Sequence, residues 1–331
     1  MRYLKSIVIN SIYLIPFILS NGACTSKSEI ATIVLLPDTQ YYAEKYPDIL
    51  MSQVDWILDN KSSIDFVLHQ GDLTQNNNKE EWQLVQSAFD KLNNEAPYML
   101  AVGNHDMGSQ PGKFADTRNT DMYNHYFPYD KMSEMRGFGG TYSVGNMDNV
   151  FYEFEAGNHK WLVMSLEFGP SDDVLKWANQ IVEEHPERTV ILNTHSYMYS
   201  DSTRQNLGDS WRPQAYGIGK DSTKTVNDGE QIWQKFVRKQ PNVRFVFSGH
   251  ILNTGIGSLI SINDAGNHVY QFLANYQSEV KGSENGGNGY LRILKLDFKS
   301  NQMKVDTYSP YLDQYMDVEG QSFTINNVIL E

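Results

Sequence analysis

Cysteine is nearly absent from this chain: there is one, Cys24, among 331 residues. A single thiol forms no intramolecular disulfide and builds no thiolate metal cluster. Proline is sparse at 11 residues, and no low-complexity linker or internal repeat divides the chain. Positive charge is also short, with 27 Lys and Arg against 40 Asp and Glu and a formal net charge of −13. No Lys/Arg-rich stripe offsets that field, which argues against nucleic acid as a partner. The one long apolar run, Ile7 to Ser20, is interrupted by Pro16. It is shorter than the roughly 20 apolar residues that a spanning helix needs. With Arg2 and Lys5 ahead of it and Asn21-Gly22-Ala23 behind, residues 1–23 read as a signal peptide.

Cys24 directly follows that cleavage site, an arrangement that resembles a bacterial lipobox, although Asn21 stands where an aliphatic residue is usual. The expectation is an exported lipoprotein of the bacterial cell envelope, periplasm-facing or on the surface, with membrane contact through a lipid on Cys24. Cleavage after Ala23 to give a soluble secreted protein is the alternative. Residues 24–29 read as a tether, and 30–331 as a single domain.

What the chain does have is five short polar motifs, each placed just after an apolar run. Asp38-Thr39-Gln40 follows Ile33–Leu36, Gly71-Asp72 follows Phe66–Leu68, and Gly103-Asn104-His105-Asp106 follows Tyr98–Val102. Thr194-His195 follows Val190–Leu192, and Gly249-His250 follows Val243–Phe247. Short runs rich in Val, Ile and Phe that stop at Gly, Asp or Asn read as buried strands. Between the first three lie two amphipathic helices, Asp48–Asn60 and Lys79–Leu92, an order that implies parallel strands with right-handed crossovers. Trp161–Leu166 reads as a further strand, leading to a helix that Ser171 caps. Asp228–Gln240 reads as another helix, and Leu291–Phe298 with Met303–Tyr308 as a closing antiparallel pair. Met107–Gly140 and Tyr199–Asn227 lack periodicity and start at motif loops, so they are expected to wall a substrate pocket.

Carboxylate, amide oxygen and imidazole form the ligand set for hard to borderline divalent metals. Each motif alone is weak, since Gly-Asp is commonly a turn and a lone His is commonly structural. Taken in order, Asp-x-Gln, Gly-Asp, Gly-Asn-His-Asp, His and Gly-His resemble the calcineurin-like metallophosphoesterases from Asp38 to His250. The resemblance implies an α/β fold, a four-layer α-β-β-α sandwich with a dinuclear metal centre at the sheet ends. It implies Asp72 as the carboxylate bridging two metals. Asn104, His195 and His250 would complete the second site, while Asp38 and Gln40 would belong to the first. Two divalent ions (Mn, Fe, Mg or Zn) roughly 3.5–4 Å apart would activate a bridging hydroxide for attack on a small phosphomonoester or phosphodiester. His105 would assist the leaving group, with Asp106 holding its imidazole in the right tautomer.

Two departures fall on the first site: Gln40 stands where His is common, and Leu252 stands where a second His follows His250. Asn253, one residue further on, would substitute only if the loop bends. That site is therefore expected to be weak and oxygen-rich, suiting Mn²⁺ or Mg²⁺ better than Zn²⁺. Further candidates are Glu167 as an acid near the cleft or a surface carboxylate, and Arg118, Arg204 and Arg212 as phosphate contacts or solvated loop residues. Tyr41, Tyr42, Tyr197, Tyr199, Trp211 and Tyr216 are candidates for stacking on a sugar or base. His69, His125, His159, His185 and His268 match no metal motif and read as structural or exposed. The alternatives to a phosphoesterase are a degenerate member serving as a non-catalytic binding or scaffold lipoprotein, and a nuclease on the same fold.

Overall fold

In the computed structural model, which describes residues 29–277 and 280–330, the five apolar runs are strands. The signal-peptide reading of residues 1–23 and the lipid site at Cys24 lie outside the described residues. Ile30–Leu36, Phe66–His69 and Tyr98–Leu100 are parallel neighbours in one sheet. Thr189–Thr194 and Val243–Ser248 are parallel neighbours in a second sheet, flanked by His159–Leu166 and His268–Ala274, also parallel. These strands are buried on both faces, which is why they read as near-continuous apolar runs. The expected closing pair is present as Leu291–Asp297 and Gln302–Ser309. It joins the first sheet, with Leu291–Asp297 antiparallel to Ile30–Leu36.

Side-chain alternation in the second sheet sets the layers. Trp161, Val163, Ile191, Phe245, Phe247, Tyr270 and Phe272 pack with Ile33, Leu35 and Phe66 of the first sheet in one core. Leu162, Met164, Val190, Leu192 and Val246 point the other way, onto the helices Asp172–Glu184 and Gly229–Lys235. Helices Pro47–Asp59 and Lys79–Phe89 cover the first sheet through Leu50, Val54, Ile57, Trp82, Val85 and Phe89. The result is the α-β-β-α sandwich. Among the described residues no helix is long and apolar enough to cross a membrane.

Several elements differ from expectation. The helix read as Asp228–Gln240 stops at Lys235, because Phe236 leaves helical geometry (φ −133°, ψ −73°) before a 3₁₀ turn over Val237–Lys239. The break lets the adjacent side chains of Phe236 and Val237 both reach the core, where each is fully buried. Met107–Gly140 is only partly loop. It contains the short helices Asp121–Tyr126 and Tyr129–Met132, and Tyr126 stacks on Trp82 at 6.1 Å. Tyr123 and Tyr126 belong to the core, which leaves residues 107–120 as the longest irregular stretch of the segment. Strands Val150–Ala156 and Ile256–Ile262 are additional to the sequence reading.

Caps fix the loops that lead to the site. Ser171 accepts from the backbone of Val174, as expected. Asp228 Oδ1 accepts from the Gln231 N–H at 3.0 Å and Gln231 Oε1 accepts from the Asp228 N–H at 3.2 Å, a capping box. Asp228 Oδ2 also takes the Gln214 amide at 3.0 Å, tying the irregular segment to the helix start. Replacing Asp228 by Ala should therefore lower unfolding stability by about 1–2 kcal/mol, read from the urea midpoint at unchanged m-value.

Candidate metal centre

The ends of both sheets deliver the motif residues to one place. Asp72 follows Gly71, and the two adopt consecutive left-handed conformations (φ +53° and +96°) that turn the carboxylate back over the strand ends. Glycine precedes two ligand motifs for a steric reason. A Cβ at Gly103 would collide with the Asp72 carboxylate, and one at Gly249 would collide with the Asp38 carboxylate. The cluster is deeply buried: Asp38, Asp72, Asn104 and His195 are at most 3% exposed and His250 is 8% exposed.

Four donor atoms converge on one point. His195 Nε2 lies 3.1 Å from Asp72 Oδ2, 3.1 Å from Asn104 Oδ1 and 3.2 Å from His250 Nδ1. The outer nitrogen of each ring faces a backbone carbonyl, which can only accept. His195 Nδ1–H donates to Gln70 O at 2.8 Å, and His250 Nε2–H donates to Trp211 O at 2.7 Å. Both outer nitrogens thus carry protons, and the two inner nitrogens confront each other as lone pairs beside a carboxylate and an amide oxygen. That arrangement needs a positive charge at its centre. A divalent cation fits this donor set, with its tautomers fixed from outside as metal-bound histidines require.

The titration of the cluster carries the same message. Burial lowers the basicity of His195, but the charges of Asp72 and Asp38 override it and raise its pKa to about 9. Burial likewise works to raise Asp72, yet the His195 charge beside it holds the carboxyl far below its ordinary range. His250, buried and repelled by a charged His195, falls to about 3. In the metal-free chain one proton on His195 supplies the missing charge.

Asp38 and Gln40 sit next to this cluster but have other partners. Asp38 takes the backbone N–H of His250 at 3.2 Å. It also accepts the side-chain amides of Asn275 at 2.9 Å and Gln277 at 3.0 Å. Gln40 Oε1 accepts from Gln277 at 3.1 Å, while its Nε2 donates to Gln75 Oε1 at 2.7 Å. Asn253 does not approach; its amide donates to Ser200 Oγ at 3.0 Å. The residues present at the first position are thus already engaged with N–H donors and do not fit a second cation as they stand. Asn275 and Gln277 were not anticipated from the sequence. A signal was there, because Val269–Ala274 is apolar except for Gln271 and is followed by Asn275-Tyr276-Gln277, much as in the five motifs.

His105 is half-buried. Its backbone N–H donates to Asp72 Oδ1 at 2.9 Å, and its ring lies against Phe114 with centroids 4.0 Å apart. The expectation that Asp106 orients this imidazole is corrected by the structure: Gln75 O, at 2.7 Å from Nδ1, does so. Asp106 instead accepts from the backbones of Leu73, Thr74 and Gly103 and from the Thr74 hydroxyl. It sews two motif loops together because a side chain one residue after His105 turns inward when the loop curls over Asp72.

Most of the remaining candidates have partners elsewhere in the chain. Glu167 is buried and pairs with Arg118 at 3.1 Å, and Arg118 also donates to Gly169 O and Thr225 O. Arg204 pairs with Glu230 and lies over Trp233, while Arg212 donates to Asp209 O. Tyr42 and Tyr197 are buried and hydrogen-bonded, to Gly289 N and Gln271 respectively. Tyr216 packs edge-on against Phe168, and Trp211 is 42% exposed with its carbonyl on His250. His69 bonds Thr39 Oγ1 at 2.9 Å and His185 pairs with Glu153. His125, His159 and His268 pack on aromatic rings.

Comparison with known proteins agrees with this geometry. Residues 31–253 match the family model described as calcineurin-like phosphoesterase. The Bacillus subtilis (strain 168) protein YvnB is 30% identical over 295 residues, covering 86% of this chain. This chain spans only 20% of YvnB's length. Among solved structures, the purple acid phosphatase PPD1 from yellow lupin (Lupinus luteus) superposes with a TM-score of 0.54 at 16% identity. That match covers 91% of this chain and 54% of PPD1, and at this identity it speaks for the fold.

Two outcomes follow. Asp106→Ala strands three buried backbone N–H groups and should cost roughly 3 kcal/mol or more, whereas His105→Ala should shift the denaturation midpoint little. Equal destabilisation by the two would refute the division of roles. In the metal-free chain the His195 pKa of about 9 lies above its ordinary 6.5. Its stabilisation is therefore full below pH 6.5 and lost as pH rises through about 9. Burial raises Asp38 from 3.8 to about 7, so its contribution also falls with pH, but earlier, and is largely lost by about pH 7, at the start of the His195 window from 6.5 to about 9. The melting temperature of the metal-free chain should fall across that window, and saturating Mn²⁺ should abolish the fall.

Proposed function

Since the chain belongs to the calcineurin-like phosphoesterases, we propose that it hydrolyses a phosphomonoester or phosphodiester of small to moderate size with a bound divalent cation. The observation that carries this reading is the convergence of Asp72, Asn104, His195 and His250 on one point, with both ring tautomers set by carbonyls. These four residues would hold the cation. When bound, it lowers the pKa of an adjacent water and neutralises phosphoryl oxygens. The protein's share is to keep that place dry, to present the donors unprotonated, and to hold His105 beside it.

His105 is the general acid in this reading. Its Nδ1–H is spent on Gln75 O, so Nε2 is the atom that donates to the departing oxygen. Its backbone bond to Asp72 couples its position to the cation's carboxylate. A binding protein on the same fold is the second reading, favoured by the amides that clamp Asp38. The half-exposed, oriented His105 favours catalysis, because binding alone requires no proton donor there.

The test uses p-nitrophenyl phosphate and its bis-ester with metal-depleted and Mn²⁺-reloaded protein. Activity should return with the cation and vanish in His195→Ala. In His105→Ala, kcat should drop about 10²–10⁴-fold at unchanged metal content. Turnover that survives His195→Ala would refute the assignment, and a folded, metal-loaded chain inert on both esters would favour the binding protein.

A further inference from the structure

We infer that this chain holds one divalent cation rather than two, because side-chain amides have taken over the first position of the centre. The inference rests on the reading that Asp72, Asn104, His195 and His250 hold a cation. Asp38 is 3% exposed, and a carboxylate so buried needs either a cation or several N–H donors. It has the donors. Asn275 Nδ2 and Gln277 Nε2 both reach Oδ2, at 2.9 and 3.0 Å, and the backbone N–H of His250 lies 3.2 Å from each oxygen.

The orientation of Asn275 is not free. Its Oδ1 accepts from Gln277 N at 3.1 Å, so its NH₂ group is the end that faces Asp38. Rotating it to offer an oxygen to a cation would orphan the Gln277 amide and set oxygen against oxygen at Asp38. Gln277 Nε2 bridges Asp38 to Gln40 Oε1, and Gln40 Nε2 continues to Gln75 Oε1. The one oxygen Gln40 has to offer is thereby engaged. Asn275, Gln277 and Gln40 are all at most 6% exposed, so water does not compete for these bonds.

The strand end that carries the amides is held from behind. Asn275 N donates to Gly255 O at 2.8 Å, and the buried Arg292 donates to Leu273 O at 3.1 Å. The Tyr276 hydroxyl sits 3.0 Å from Thr307 Oγ1. Among the described residues nothing replaces the imidazole missing at Leu252, since Asn253 is turned onto Ser200.

The experiment is elemental analysis of the full chain equilibrated with Mn²⁺ and freed of unbound metal, together with its Mn²⁺ electron paramagnetic resonance. One equivalent per chain is expected, with the hyperfine pattern of an isolated ion, unchanged in Asp38→Ala. Asn275→Asp keeps the acceptor for Gln277 N but replaces a donor with a charge, and should raise the stoichiometry towards two. Two equivalents in the unaltered chain, with an exchange-coupled spectrum, would overturn the inference and leave the proposed cation site standing. So would a single equivalent lost in Asp38→Ala. A folded Asn275→Asp protein that stays at one would overturn the role given to the amides. No bound metal at all would overturn the inference together with the cation site it rests on.

Discussion

Two imidazole nitrogens 3.2 Å apart, each stripped of its proton by a carbonyl behind it, are the constraint on which the rest of the site depends. Lone pairs of His195 and His250, the Asp72 carboxylate and the Asn104 oxygen have been driven together inside the protein, where their mutual repulsion is poorly screened. Left alone, such a cluster would push its loops apart. One positive charge at the centre reverses the sign of each interaction. A proton on His195 serves when no metal is bound, and a divalent cation serves better because it meets all four donors at once. The fold therefore carries a standing demand for a cation, and the carbonyls of Gln70 and Trp211 create that demand by fixing which nitrogens point inward.

Holding such a cluster requires backbone that does not yield, and the loops show how this is done. Left-handed geometry at Gly71 and Asp72 and the missing Cβ atoms of Gly103 and Gly249 let carboxylates occupy space where side chains would normally begin. Asp106 then gathers the N–H groups of Leu73, Thr74 and Gly103, joining the loops after the second and third strands into one unit. Behind them the strands are buried on both faces by the inter-sheet core and the helices. The strained backbone persists because this packing over-determines it.

The fold and the cation cluster were largely legible in the sequence, for a physical reason. Strands buried on both faces are largely apolar, so their ends are marked by short polar motifs, and at five such ends the motif carries a residue of ligand type. What escaped reading were contacts made between distant segments. The carbonyls of Gln70, Gln75 and Trp211 leave no mark in sequence, because every residue has a carbonyl. That Asp106 would face Leu73 and Thr74 rather than its neighbour His105 depends on how the loop curls, which residue order does not encode. The tyrosines at 123 and 126 looked like loop residues but serve as core against Trp82, since a phenol buries well when its hydroxyl finds an acceptor. Asn275 and Gln277 obey the same strand-end rule as the five motifs, and their amides simply lack the chemical distinctiveness of imidazole.

That last difference also explains how one half of the centre departs from the other. An imidazole whose far nitrogen is fixed by a carbonyl presents only a lone pair inward, and it calls for a cation. A primary amide carries donor and acceptor together, so Asn275 answers Asp38 with N–H while its oxygen takes a backbone donor. A carboxylate beside two such amides is satisfied by the protein itself, with no dependence on metal supply. In the proposed reading a cation completes the His195 side of the centre, while the Asp38 side is met by hydrogen bonds within the chain. Asp38 also accepts the backbone N–H of His250, so the amide-filled half braces a residue of the half that needs the cation. The substitutions at Gln40 and Leu252, which look like losses when read as motifs, take on a different sense in space. They remove imidazoles from a place where buried amides already hold the charge.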